Sequence, residues 1–131
     1  MPHYYSTIYN SPLTWNTNWV ATNCLPVPLN VPLPIYHYDA EGRNHCEDGP
    51  AIVDRHGNRW WARHGLWHRE DGPAIEYASG EKEWYQHGKR HREDGPAVEH
   101  DGRYSWWVKG RPVPAHSQDH FARLMHADKY L

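Results

Sequence analysis

The sequence predicts a mostly β fold: stacked β-hairpins of about 23 residues per unit, an extended N-terminal cap segment and a short C-terminal capping helix. Three observations predict it. HREDGPA occurs at 68–74 and again at 91–97, and HCEDGPA occupies 45–51. The glycines fall into periodic series. Short apolar runs between turn residues alternate in the manner of strands.

The N-terminal element is a segment without charge. Residues 1–38 contain no Asp, Glu, Lys or Arg, so all thirty charges lie in 39–131. Within it, LPVPLNVPLPI sets Leu25, Val27, Leu29, Val31, Leu33 and Ile35 at odd positions and Pro26, Pro28, Pro32 and Pro34 at even ones. In a strand the odd side chains form one apolar face, and the missing N–H groups lie along one edge. Polyproline II would scatter the apolar residues. The expectation for 1–35 is an extended cap whose last third lies as an edge strand on the first hairpin.

The repeat array spans 36–113: a half repeat at 36–44, then 45–67, 68–90 and 91–113. Gly49, Gly72 and Gly95 are 23 residues apart; Gly42, Gly65, Gly88 and Gly110 are spaced 23, 23 and 22; Gly57, Gly80 and Gly102 are spaced 23 and 22. These series hold all ten glycines, so none remains for a phosphate-cradling loop. The residue missing from the third copy lies between Pro96 and Gly102. In HREDGPAIEYASGEKEWYQHGKR, turn residues punctuate two runs, 74–77 and 83–86, that suit strands. One hairpin is marginal in water, and stacking several buries a continuous core. Ile52, Ile75 and Val98 form one apolar column, and Trp61, Trp84 and Trp106 another; both are expected in the core. The columns Trp60, Glu83, Ser105 and Ala62, Tyr85, Trp107 are expected on the opposite face.

These residues carry a resemblance. Trp84-Tyr85-Gln86-His87-Gly88-Lys89-Arg90-His91-Arg92-Glu93-Asp94-Gly95-Pro96-Ala97 is similar to a MORN-like repeat of pattern W-[YW]-x-x-G-x-x-H-R-x-D-G-P-A. The resemblance covers 36–113 and does not extend to 1–35. It implies a curved or twisted array of hairpins used for binding or scaffolding. Such units recur in bacterial, phage and viral proteins. Eukaryotic MORN arrays are linked to lipids, but this chain lacks the basic excess that lipid binding favours.

The last element, 114–131, reads as a helix that closes the final hairpin. Ser117 is the expected N-cap, Phe121, Leu124 and Met125 form an apolar stripe, and His126 and Lys129 suit the C-terminal end of the dipole.

Composition bounds the chemistry. The chain has 131 residues, a net charge of −2 and a mean hydropathy of −0.99, offset by eight Trp and nine Tyr. Nothing here suggests a strongly basic nucleic-acid binder. Each buried Trp removes roughly 150–250 Å² from water, on the order of 4–6 kcal/mol before entropy is subtracted. Cys24 and Cys46 share neither CxxC spacing nor a repeat phase, and Cys46 stands where the other copies have Arg69 and Arg92. The expectation is no disulfide, no zinc site and a reducing cytoplasm. No apolar run approaches a membrane span, and the N-terminus lacks the charged and apolar regions of a signal peptide.

HREDGPA admits two readings. His68, Glu70 and Asp71 could form an acid–base or metal cluster. Alternatively, Asp71 accepts local backbone hydrogen bonds, Gly72 takes an unusual φ and Pro73 fixes the entry to a strand. Recurrence favours the turn, because an enzyme needs one differentiated site whereas a stack needs the same corner at every step. His116 and His120 have i,i+4 spacing without a completing ligand set. No catalytic residue, metal or cofactor is assigned.

The expectation is a non-enzymatic protein-binding or scaffold module. Its contact residues are Trp60, Tyr85 and Trp107, with Trp67 nearby. Trp15 and Trp19 in the uncharged 1–38 segment are a second candidate, for self-association. By analogy, such a compact binder suits a phage-encoded inhibitor of a host factor, acting in the host cytoplasm. The alternative is a nucleotide-like ligand or single-stranded nucleic acid held by ring stacking with Arg69, Arg92 and Arg59. Balanced charge disfavours nucleic acid.

Overall fold

The computed structural model describes residues 3–7, 20–21 and 33–127, with side chains from 33 onward. The described chain is mostly antiparallel β, with one short C-terminal helix. It divides into two compact units, Met1–Leu66 and Trp67–Leu131. No described helix is long and apolar enough to cross a membrane.

The first unit contains β1 (His3–Thr7), β2 (Val20–Ala21), β3 (Ile35–Tyr38), β4 (Ile52–Val53), β5 (Arg59–Trp60) and β6 (Ala62–Arg63). Strands β5, β4, β3, β1 and β2 lie side by side in that order. The cap expected over 25–35 falls largely outside the described residues. The strand that pairs with the outer side of β3 is β1, with Tyr4 opposite Tyr38 and Thr7 opposite Ile35.

Two turns in this unit are built on buried or partly buried aspartates. Asp39 Oδ1 accepts from the N–H groups of Glu41 and Arg43, both at 2.9 Å, and its Oδ2 receives Arg43 Nε at 2.8 Å. Asp54 repeats the device with His56 N, Asn58 N and Asn58 Nδ2. A carboxylate that accepts several local N–H groups replaces the backbone partners a short loop lacks. Burial pushes both carboxyls up. The hydrogen bonds outweigh it and hold both below the usual range, Asp39 far below.

Strand β7 (Leu66–Trp67) begins at the division. The second unit adds β8 (Ile75–Glu76), β9 (Lys82–Glu83), β10 (Tyr85–Gln86), β11 (Lys89–Arg90), β12 (Val98–His100), β13 (Arg103–Val108), β14 (Arg111–Val113) and α1 (Gln118–His126). Its sheet order is β14-β13-β12-β9-β8, and β10 pairs with β11 as a separate hairpin. The expected strand 83–86 is therefore split at Trp84. Lys89–Arg90, expected as a plain connector, is itself a strand.

Hairpin tips have two forms. His87-Gly88, Asp101-Gly102 and Lys109-Gly110 are two-residue loops with φ positive at both positions, the primed turns that match strand twist. The 77–81 loop is longer: Tyr77 N donates to Glu81 C=O at 3.0 Å and Gly80 sits at φ +100. The residue missing from the third copy converts that longer loop into the two-residue turn at 101–102. The strand register on either side is retained.

The faces differ from the sequence expectation. Ile75 stands directly opposite Glu83, Glu83 opposite Val98, and Val98 opposite Ser105, so these four share one face. Ile52 likewise faces Trp60. The Ile/Val column thus runs with Trp60, Glu83 and Ser105 rather than against them. The cause is the hairpin register: the 77–81 loop and the 101–102 turn set Glu83 and Ser105 directly opposite Ile75 and Val98, and this holds in β13, which runs unbroken through Trp106. The core is also redistributed. Ile75 and Trp106 are buried, but Ile52, Val98, Trp61 and Trp84 are only half-buried. Ala51, Ala74 and Ala97, the last residue of each HxEDGPA turn, are fully buried.

Helix α1 has the expected N-cap and buried stripe but spans Gln118–His126 within the expected 114–131, and Lys129 lies outside the described residues. Ser117 accepts the N–H of His120 at 3.1 Å as N-cap. Phe121 and Met125 are buried against Trp106, Val108 and Val113, with Leu124 beside them. Trp106 Nε1 donates to Gln118 Oε1, and Gln118 Nε2 donates to the carbonyl of Asp94. The helix is thereby fastened to both the ring and the adjoining turn.

The expectation of unpaired cysteines is corrected. Cys46 is buried at 3 % exposure and is disulfide-bonded. The chain's other cysteine, Cys24, lies outside the described residues. Cys46 replaces Arg69 and Arg92, and Val53 replaces their partners Glu76 and Glu99. The first copy therefore lacks the Arg–Glu clamp and has a covalent tie at the same position.

Candidate functional site

Each HxEDGPA segment is built from its histidine outward. His68 Nδ1 accepts the N–H of His87 at 3.0 Å, and His91 Nδ1 accepts the N–H of Lys109 at 2.9 Å. His45 does the same for His64 at 3.0 Å. The three donors sit at φ 51, 52 and 48, a left-handed backbone that costs a non-glycine residue roughly 1–2 kcal/mol. The histidine therefore holds a strained turn, and its Nδ1 is occupied in doing so. Nε2 faces the next carboxylate: His68 to Glu70 at 3.5 Å and His91 to Glu93 at 3.5 Å. Among the described residues, no His/Cys/Asp/Glu group has metal-holding geometry.

The arginines of these segments are also committed. Arg69 gives Nε to Asp71 and Nη1 to the Pro73 carbonyl and Glu76. Arg92 repeats this with Asp94, Pro96 and Glu99 and stacks on Trp84 at 3.9 Å. The ion-pair partners of Arg69 are thus Asp71 and Glu76. Gly72 and Gly95 do not take the unusual φ expected of Gly72. A Cβ would meet the guanidinium carbon at 3.0 Å on Gly72 and 2.8 Å on Gly95, so these glycines make room. An open groove of about 630 Å³ lies between the two turns, lined in part by Arg69, Trp84, Arg92 and Glu93. Arg59, the third candidate for ligand stacking, lies 6.0 Å from the Trp61 ring in the first unit.

The aromatic candidates fall into place unevenly. Trp60 is half-buried in the first unit, and Trp67 is half-buried in the second. Trp15 and Trp19 lie outside the described residues. Tyr85 and Trp107 are brought together by Arg90, a residue the sequence pattern does not single out. Arg90 stands opposite Tyr85 in the β10–β11 hairpin. Its guanidinium lies 5.9 Å from the Tyr85 ring and 5.2 Å from the Trp107 ring.

Glu83, buried beneath, organises this group. It accepts Tyr85 O–H at 2.9 Å, Tyr77 O–H at 3.4 Å and Arg90 Nη2 at 3.3 Å. Trp107 Nε1 donates to Ser105 Oγ at 2.9 Å, which fixes the indole. Burial, then Glu83's hydrogen bond and charge, push the Tyr85 phenol up. Burial opposes charge on Arg90, but Tyr85 and Glu83 outweigh it and push the guanidinium further up. Arg90 therefore remains a cation, half-exposed, with its Nε lacking an acceptor.

Comparison with family models, curated proteins and solved structures returned no match for this chain.

Proposed function

We propose that the protein is a non-enzymatic binding module, a MORN-like hairpin stack that docks a protein partner through Tyr85, Arg90 and Trp107. The observation that carries this reading is the Arg90 guanidinium held between two half-buried rings by a buried carboxylate. Aromatic residues and Arg dominate binding energy when preorganised at the centre of a contact. Here the rotamers are fixed before binding, so less conformational entropy is lost on association. The disulfide at Cys46 suits an oxidising compartment rather than the cytoplasm.

The test is affinity capture with immobilised protein. Wild type captures the partner, and Trp107→Ala and Arg90→Ala each weaken capture by at least about tenfold, with circular dichroism unchanged. Arg59→Ala in the other unit captures normally. Equal capture by all four proteins would remove this face as the docking surface.

A further inference from the structure

The docking reading leaves the partner's chemistry open, and the inference rests on it. We infer that the partner presents an acidic segment, received by a cationic corner formed by Lys89, Arg90, Lys109 and Arg111.

Two hairpin tips build this corner. Gly110 N donates to the Arg90 carbonyl at 2.9 Å. A Cβ added to Gly110 would lie 3.4 Å from Cβ and Cδ of Lys89, so the Lys89 stem crosses the 109–110 tip. The N–H of Lys109 is fixed by His91, and Arg111, beside the same tip, stands opposite Val108 on the ladder face away from Trp107. Lys89, Lys109 and Arg111 are exposed, and none forms an ion pair with a described residue. Arg90 alone has a carboxylate, Glu83, at 3.3 Å.

Cations gathered in this way repel one another, in a chain whose net charge is −2. Carboxylates supplied by a partner relieve that repulsion and steer its approach. Arg90 joins this corner to the Trp107 and Tyr85 rings, so an acidic segment with one apolar side chain meets both charge and ring. Single-stranded nucleic acid fits less well. Arg90 already covers the rings on which bases would stack, and the Trp107 N–H is spent on Ser105.

Fluorescence anisotropy tests this with a labelled glutamate-rich peptide of about ten residues bearing one central leucine, its lysine counterpart and oligothymidylate of equal length. The acidic peptide is expected to bind wild type. Affinity should fall at least about tenfold in K89E/K109E/R111E, and comparably between about 50 and about 500 mM salt. The lysine peptide and oligothymidylate should not bind. Three outcomes overturn the inference: no binding of the acidic peptide to wild type, equal binding by the folded triple variant, or tighter binding of oligothymidylate. Partner capture separates the two readings. If Trp107→Ala abolishes capture and the triple variant does not, the docking face stands and the acidic partner falls.

Discussion

The guanidinium carbon of Arg92 stands 3.9 Å from the centre of the Trp84 ring, held there by Asp94, Pro96 and Glu99. The end of this arginine is therefore unable to yield freely. A methyl group at Gly95 would press on it at 2.8 Å. Gly95→Ala should destabilise the fold by about 1–3 kcal/mol, measured by urea denaturation. In the Arg92→Ala background the same change should cost less, a coupling that a double-mutant cycle reads directly.

His91→Ala should remove the acceptor of the exposed Lys109 N–H and lower stability by about 0.5–1.5 kcal/mol. Lys109→Asn should act in the opposite direction. Asn tolerates the left-handed region that Lys109 occupies at φ 52, and a gain of about 0.5–1 kcal/mol is expected in thermal unfolding.

Acid should weaken the first unit through Asp39 and Asp54. Both carboxyls are held below their ordinary value of 3.8, so the unfolded chain binds protons first on acidification. Their contribution is complete above that value and is lost as pH falls through the lower folded values. Stability measured against pH should drop below about 4, and Asp39→Asn should flatten the drop. An unchanged slope in that variant would separate Asp39 from acid lability.

Reduction should loosen the first copy selectively. Intact mass should rise by the hydrogens of the released thiols, and Cys46→Ser should lower stability by about 2–5 kcal/mol. Hydrogen exchange should increase around 45–53, where no arginine clamp exists, and remain low around 91–99.

Much of this architecture is legible in the residues alone. Ser117, Phe121 and Met125 give the helix its start and buried face, because capping chemistry and periodicity are local. Gly65, Gly88 and Gly110 mark turn tips for the same reason. Lys89–Arg90 escapes as a strand because two exposed or half-exposed cations carry no apolar alternation. Arg90 escapes as a site residue because its rings come from different hairpins. The faces are misassigned because loop length fixes which residues of a hairpin stand opposite one another, and alternation within a single strand does not reveal that register. The disulfide at Cys46 has no spacing signature, and only the paired replacement of Arg by Cys46 and Glu by Val53 hints at it.

The shortened loop at Asp101-Gly102 has a practical consequence. Its flanking residues, His100 and Arg103, pair directly across the ladder, so the connection between them can change length without disturbing the strands on either side. This tip is accordingly a natural place to splice in a foreign epitope or a permuted terminus while the remaining chain keeps its geometry.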